Sequence, residues 1–410
     1  MNTATLPQRF AEAMVALGAP DRLGLAVSGG SDSVALMHLA HDWGGAALQV
    51  ATVDHGLRPD AAAEAADVAR AAAQLGLPHV TLRWQGWDGR GNLQQGARDA
   101  RHSLLRDWAQ AAGLQAIALG HSCDDQAETL LMRLKRGSGV DGLAGMEAAR
   151  EDGSIRWLRP LLGMSRAELR AWLRGRDLGW CDDPSNDDPR FDRVRTRQAL
   201  AALGLDTRRL AQTATRMAEA RVVLDQAARD AAGHCGRVDH GDIVFDRATF
   251  DNLPADTRHR LLAAALCEIA TQPYRPRLSA LQAALRAAQM TLHGCLVTRS
   301  STTLRVTREA KAVRQTVAPV GALWDQRWQI YPPANTALPR ATEIRALGPE
   351  GLDVCKDRRH WRAPRASLLA SPAIWQGARL IAAPLAGFAQ GWRATPRRCV
   401  GILVSLPVSH

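Results

Sequence analysis

Ser28-Gly29-Gly30-Ser31-Asp32-Ser33 gathers two glycines, three hydroxyls and a carboxylate in six consecutive positions. Neighbouring glycines reach backbone angles closed to other residues, so successive N–H groups can turn toward one anion at a helix N-terminus. The hexapeptide follows the apolar run Leu23 to Val27 and precedes the helix-forming segment Val34 to Ala40, which is the strand, loop and helix order of a phosphate site. The spacing of a Walker A loop and its phosphate-reaching lysine are both absent. Asp32 sharpens the point, because a carboxylate beside a polyphosphate is repulsive unless a cation lies between them, and Mg2+ is the usual bridge. The loop therefore predicts ATP with Mg2+ and makes Asp32 the metal-linked residue. Taken alone, the same string is also an ordinary Gly-Ser turn capping a helix.

Further polar clusters supply the context. Asp54-His55-Gly56-Leu57-Arg58-Pro59 follows a second apolar run and offers an acid, an imidazole and a guanidinium for adenosine recognition. His55 reads as a hydrogen-bonding group, since no second histidine stands at metal-ligand spacing. His121-Ser122-Cys123-Asp124-Asp125-Gln126-Ala127-Glu128-Thr129 collects three carboxylates where a strand gives way to a helix, and Asp125 and Glu128 share a helical face. Helix-dipole and capping preferences explain one such acid, for example Asp124, better than three. Beside a nucleotide, the trio can hold Mg2+ or a cationic substrate amine, with His121 available for proton transfer. Arg133, Lys135 and Arg136 lead into the glycine-rich stretch from Gly137 to Met146, a gating loop or a basic helix end. Asp183-Pro184-Ser185-Asn186-Asp187 precedes Phe191, Arg193, Arg195 and Arg197, where alternating arginines suit phosphate or carboxylate.

Four apolar runs, Leu23 to Val27, Leu48 to Val53, His79 to Trp84 and Gln115 to Leu119, alternate with Ala-rich helical segments such as Ala61 to Leu75 and Gln94 to Ala112. This predicts an α/β fold with a doubly wound parallel sheet, ligands lying outside the carboxyl ends of its strands. Ser165 to Gly175 reads as a capped helix, and Met1 to Pro20 as an amphipathic helix and not a signal peptide. Beyond Gly204, helical patterns at Arg208 to Ala232, Ala255 to Ala270 and Arg277 to Ala288 predict a helical second domain, with a β-hairpin from Leu292 to Thr307. The Pro- and Trp-rich remainder predicts a small β-containing C-terminal domain, giving boundaries of 1–204, 205–315 and 316–410. Hydrophobic content of 46% fits a globular chain, and seven scattered cysteines without a CxxC pair fit reduced cytosolic thiols. No stretch approaches a membrane span. The net charge of +11, mostly arginine, suits a polyanionic partner, and a genome that favours Ala and Arg accounts for it equally well.

In order, these motifs resemble the tRNA(Ile)-lysidine synthetase family of the N-type ATP pyrophosphatase, or PP-loop, superfamily. Ser28 to Ser33 resembles its SGGxDS loop, Asp54 to Pro59 its DHGLRP segment and Asp124 to Thr129 its DDQAET run. Gly137 to Met146 and Asp183 to Arg197 are similar to two further segments, with Val194 standing where the family carries asparagine. The resemblance covers about the first half of the chain and implies an adenine nucleotide alpha hydrolase-like fold. It implies nucleotide contacts from Ser28, Gly29, Gly30, Ser31, Asp32, Ser33, Asp54, His55 and Arg98. It implies substrate contacts from Asp124, Asp125, Glu128, Arg193 and Arg195, with Asp32, His121, Asp125, Glu128 and Arg195 catalytic.

The implied reaction adenylates the wobble cytidine of an isoleucine tRNA with a CAU anticodon, using ATP and Mg2+, and then lets free L-lysine displace AMP. A cytoplasmic enzyme follows from the same resemblance, which also allows a homodimer. The rival within the superfamily is a tRNA thiolase, which generally needs a reactive cysteine pair or an iron-sulfur cluster. The rival outside it is a nucleotide-sensing RNA-binding protein without chemistry, against which the acidic trio argues.

Overall fold

The computed structural model describes residues 4–56, 61–85, 93–182, 190, 192–334, 341–404, 406 and 408–409. Leu57, Arg58, Pro59, Asp183 to Pro189 and Phe191, all singled out above, lie outside the described residues. The chain divides into two compact units, Met1–Arg221 and Val222–His410.

The first unit begins with α1 (Leu6–Ala16), then alternates β1 (Arg22–Ala26), α2 (Ser31–Trp43), β2 (Ala47–Asp54), α3 (Ala61–Gln74), β3 (His79–Arg83), α4 (Leu93–Ala111), β4 (Ala116–Leu119) and α5 (Cys123–Lys135). A short α6 (Val140–Leu143), the hairpin of β5 (Ala149–Asp152) and β6 (Ile155–Leu158), then α7 (Arg166–Arg174) and α8 (Asp192–Ala202) complete it, and the unit boundary falls within α9 (Thr207–Cys235). The sheet order is β3-β2-β1-β4-β6-β5, parallel throughout except for the β5–β6 hairpin. The doubly wound parallel sheet read from the sequence is therefore present. The edge hairpin carries no strong apolar alternation and was not anticipated.

Central strands buried on both faces read as unbroken apolar runs. Every residue of β4 is buried, and in β1 Leu23 and Leu25 are fully so. One face packs Leu23, Leu25, Leu36 and Met37 with Phe10 and Met14 of α1 and Leu169 and Leu173 of α7, whereas Ile117 and Trp157 pack against Leu105 and Ala109 of α4 on the other. Each such aliphatic side chain contributes about 1.5–3 kcal/mol by burial.

The order reverses between β1 and β4, whose carboxyl ends flank the crevice where ligands bind in open α/β sheets. Two glycines allow the chain to turn there. Gly29 has φ +90°, a left-handed angle that L side chains rarely adopt. Gly120, just past β4, lies so close to the start of α2 that a Cβ would sit 3.0 Å from backbone atoms of Ser33. Absence of a side chain at that position lets the Ser122 hydroxyl come within 3.0 Å of Asp32.

In the second unit, β7 (Gly236–Asp239), β8 (Asp242–Asp246), β9 (Gln289–Leu292), β10 (Cys295–Arg299), β11 (Thr303–Arg308) and a final short β18 (Val408–Ser409) form one sheet in the order β18-β7-β8-β11-β10-β9. The helix α10 (Arg247–Asp251) follows β8, and α11 (Ala255–Ala270) and α12 (Leu278–Arg286) precede β9. Phe245 and Phe250 pack with Leu262, Leu266 and Ile269 of α11 in its core. The expected helices are present, and the hairpin expected at Leu292 to Thr307 is the β10–β11 pair within this larger sheet. The small β-containing region comprises β12 (Ala318–Pro319), β14 (Thr342–Ala346), β15 (Pro372–Gln376) and β16 (Arg379–Ala382), with β13 (Trp328–Tyr331) paired to β17 (Arg393–Pro396), over a core rich in tryptophan.

Gly120→Ala forces its Cβ into the Ser33 backbone, so denaturant unfolding is expected to show a loss of about 1–3 kcal/mol, the usual range for overpacking. A variant as stable as the parent would contradict the close approach.

Candidate functional site

The Ser28–Ser33 loop closes on itself before any ligand arrives. Ser33 Oγ accepts the Ser28 amide at 3.1 Å and donates to the Gly30 carbonyl at 2.9 Å. The Cys181 amide donates to the Gly29 carbonyl at 2.9 Å, tying the loop down from outside. Gly30 is the N-cap of α2 and brings no side-chain oxygen to the first-turn amides. Those amides and the positive end of the helix dipole are thus left for an anion. Arg170 adds positive charge at the rim, donating from Nε to Ser31 Oγ at 3.1 Å.

Across the crevice, Ser122 joins the loop to the acidic helix. Its hydroxyl stands 3.0 Å from Asp32 Oδ2 and 3.1 Å from Asp125 Oδ2. One hydroxyl has one proton and serves only one of these oxygens at a time, so two carboxylates share a space that calls for positive charge. Asp125 Oδ2 also accepts the Ser122 amide at 2.9 Å. Burial alone would push Asp125 up, but the guanidiniums of Arg193 and Arg166 and this amide hold its carboxyl below the ordinary range. Glu128, one turn on and only 1% exposed, stands 3.0 Å from Arg197 Nε, 3.1 Å from Arg193 Nε and 3.7 Å from Arg166.

Arg166 is the hub of this cluster. It reaches Asp32 at 3.1 Å, Asp125 at 3.6 Å and Glu128 at 3.7 Å. Burial opposes its charge, yet these acids raise its pKa above the usual arginine value. The helix that carries it starts with a capping box in which Glu168 accepts the Ser165 amide at 2.8 Å, and Asp124 Oδ2 accepts the Arg166 amide at 2.7 Å. Asp124 therefore anchors α7 and does not join the cluster.

Burial disfavours the charged form of both histidines of the motifs. Burial lowers His121 to about 3, with Asp125 raising it and Arg159, Arg101 and Arg193 lowering it. Burial and Arg101 lower His55, whose ring meets Trp84 edge-on at 5.9 Å. No described group hydrogen-bonds Nδ1 of either ring. Each of these nitrogens is free to make one further hydrogen bond. Asp54 Oδ1 accepts the Gly56 amide at 2.9 Å, shaping the turn after β2.

The structure thus brings Asp32, Asp125, Glu128 and Arg193 together with the Ser28–Ser33 loop. Arg195 lies elsewhere, paired with Asp192 and donating to the Arg190 carbonyl at 3.2 Å. Arg98 is exposed on α4. Helical periodicity explains the arginines: in α8, residues 193 and 197 share a face and 195 does not, so Arg197 joins Arg193 on Glu128. Val194 is buried at 6% exposure, which accounts for an apolar residue there. Arg166, Arg170 and Ser122 were missed by sequence reasoning. The signal for the arginines was their four-residue spacing behind the Ser165–Glu168 capping box.

Asp32 fits a metal-linked role as one carboxylate of a partial set, since Mg2+ typically takes one or two carboxylates with phosphate oxygens and waters. Among the described residues no group of three His, Cys, Asp or Glu side chains forms a complete protein-built metal site. Cys123 is buried, donates weakly to the Thr207 carbonyl at 3.7 Å, and has its thiol pushed up to about 11 mainly by that burial. It is not a reactive thiolate.

Residues 3–203 match the PP-loop domain family. Over 385 residues the chain is 49% identical to a tRNA(Ile)-lysidine synthase of Ruegeria pomeroyi, covering 92% of this chain and 91% of that protein. A tRNA(Ile)-lysidine synthase of Bradyrhizobium diazoefficiens is 43% identical over 274 residues, 63% of this chain and 75% of that one. The solved U34-tRNA thiolase NcsA of Methanococcus maripaludis is 15% identical with a TM-score of 0.45, covering 52% of this chain and 77% of its own, too distant to carry an argument.

Two measurements test the cluster. Arg166→Gln removes the guanidinium that spans all three acids, while Arg193 and Arg197 still face Asp125 and Glu128, so it is expected to cost about 1.5–3 kcal/mol at neutral pH, the range for losing hydrogen bonds to charged groups; an unchanged unfolding midpoint would contradict the hub. Glu168 is expected to titrate in the acid range: burial raises it, but the Ser165 amide and Arg9 bring it down from 4.5 to about 2. Its stabilisation is complete above pH 4.5 and lost as pH falls toward 2. Glu168→Gln should therefore flatten stability against pH across that window, and an unaltered slope would remove Glu168 as an anchor.

Proposed function

The chain belongs to the tRNA(Ile)-lysidine synthase family, and on that premise we propose that it joins free lysine to the wobble cytidine of an isoleucine tRNA with a CAU anticodon. In the first step the cytidine O2 attacks the α-phosphorus of ATP, and the bond to pyrophosphate breaks. In the second, the lysine side-chain amine attacks C2, the C2–O bond breaks, AMP leaves with that oxygen, and the amine gives up a proton.

The residues divide this work by charge. The Gly29–Ser33 amides and Arg170 suit the phosphates, Asp32 suits a bridging Mg2+, and the orphaned Nδ1 atoms of His55 and His121 suit polar groups of the nucleotides. Bound Mg2+ supplies charge neutralisation for the leaving pyrophosphate. Catalysis on the protein side is then mostly positioning and fixed electrostatics. The observation that carries the reading is the placing of buried Asp125 one serine hydroxyl away from Asp32 of the Ser28–Ser33 loop, with buried Glu128 joined to the same aspartate through Arg166.

Lysine's amine has an ordinary pKa near ~10.4, so a neutral nucleophile must be generated at the site. Asp125 and Glu128 hold the ammonium, and one of the two takes the proton that the amine sheds as it bonds to C2. Thiolation is the weaker reading, because Cys123 is buried and protonated. In this proposal residues 205–315 and 316–410 grip the tRNA and the enzyme works in the cytosol, as a chain whose family resemblance allows a homodimer. No helix among the described residues is long and apolar enough to cross a membrane.

Incubation with unmodified tRNA, ATP, Mg2+ and labelled lysine is expected to place label in RNA, and absence of label would overturn the assignment. Asp125→Ala should abolish that incorporation, whereas wild-type turnover in the variant would remove Asp125 from the mechanism.

A further inference from the structure

Within the ion-paired cluster itself, acids and guanidiniums stand in balance. Asp32, Asp125 and Glu128 face Arg166, Arg193 and Arg197, three negative groups against three positive. A substrate ammonium entering this cluster would leave a surplus positive charge in a largely buried space, which desolvation and like-charge repulsion both oppose. One of the resident guanidiniums must therefore give way.

The three are not held alike. Arg166 is 21% exposed, hydrogen-bonds Asp32 and spans all three acids. Arg197 makes a well-aligned bond to Glu128 Oε1 at 3.0 Å. Arg193 is 43% exposed, and among the described residues its ion pairs run to Asp125 at 3.5 Å and Glu128 at 3.1 Å, the two acids assigned to the amine. Glu128 Oε2 lacks a well-directed hydrogen bond even with Arg193 beside it. Arg193 also feels Arg101, whose own guanidinium is crowded by Arg98 and Arg193. It is thus drawn by the acids, repelled by a neighbouring arginine and, like Arg197 at 39%, partly open to solvent, and it pairs with both of the acids assigned to the amine where Arg197 pairs with one.

We propose that Arg193 is a resident counter-ion standing in the amine's place, and that an anion on the Gly29–Ser33 loop must draw it away before lysine can bind. The inference rests on the lysine reading of Asp125 and Glu128 given above. A planar, always charged guanidinium transfers readily from carboxylate to phosphate. A nucleotide at the loop also adds the negative charge that makes room for an ammonium. Arg193 therefore couples the two sites and sets their order, nucleotide before amine. Linkage makes the coupling reciprocal: lysine tightens nucleotide by the same factor as nucleotide tightens lysine.

The test is calorimetric titration of L-lysine into the full chain, with and without Mg2+ and the non-hydrolysable α,β-methylene analogue of ATP. Lysine is expected to bind at least about tenfold more tightly in the presence of the analogue, within the usual range of coupling between sites. Arg193→Gln should erase most of that difference by gaining affinity without nucleotide, and Arg193→Lys, which keeps a cation in place, should retain it. Equal lysine affinity with and without nucleotide in the unaltered chain overturns the gate alone. Weaker lysine binding by Arg193→Gln in both conditions also overturns it, making Arg193 a holder of substrate. No lysine binding in either condition overturns the reading of the acids as the amine's seat, and the gate with it.

Discussion

A carboxylate buried as deeply as Glu128 persists as an anion only beside compensating charge, and much of the first unit is arranged to supply it. Three guanidiniums from two helices converge on that one side chain. Arg166 then extends the balance to Asp125 and Asp32, so that the acid helix and the phosphate loop belong to a single electrostatic system. Such an arrangement is a poor device for stability, since apolar packing would serve as well or better. Its use is to keep strongly charged groups close together in a site where reacting charges come and go.

The sheet makes this proximity possible. Reversal of strand order between β1 and β4 opens a crevice at their carboxyl ends, and the chain leaves both strands there in polar segments. Gly120 removes the one side chain that would hold those segments apart. On the acid side, α7 is fixed by the Ser165–Glu168 capping box and by Asp124, so Arg166 and Arg170 project into the crevice from a rigid support. The segments that carry the anion loop, the acids and Arg166 are therefore placed by backbone constraints.

Much of the α/β core was legible because its signals are local. Apolar runs, Ala-rich helices and glycine stops lie within a few residues of the features they specify, and strands such as Leu48 to Val53 emerged within one residue of their observed limits. The turn from Ser28 to Ser33 at the start of α2 and the shared face of Asp125 and Glu128 were legible for the same reason. What escaped depends on contacts between distant segments. Arg166 gains its role from acids 41 and 38 positions earlier, at 125 and 128, and from Asp32, 134 residues away. The choice between Arg195 and Arg197 needed the helical state of α8, because a period of 3.6 pairs 193 with 197 while alternation pairs it with 195. Strands β5 to β8 are short, and their partners are fixed by pairing more than by composition.

The account's central claim is that phosphate and amine are received by two parts of one crevice, the Gly29–Ser33 loop and the Asp125–Glu128 pair. A crystal structure of the chain saturated with the non-hydrolysable nucleotide analogue, Mg2+ and L-lysine addresses it directly. The account predicts phosphate oxygens on the loop amides and the lysine ammonium at hydrogen-bonding distance, about 3 Å, from Asp125 or Glu128. A lysine seated away from both acids, or a nucleotide whose phosphates avoid the loop, would contradict it.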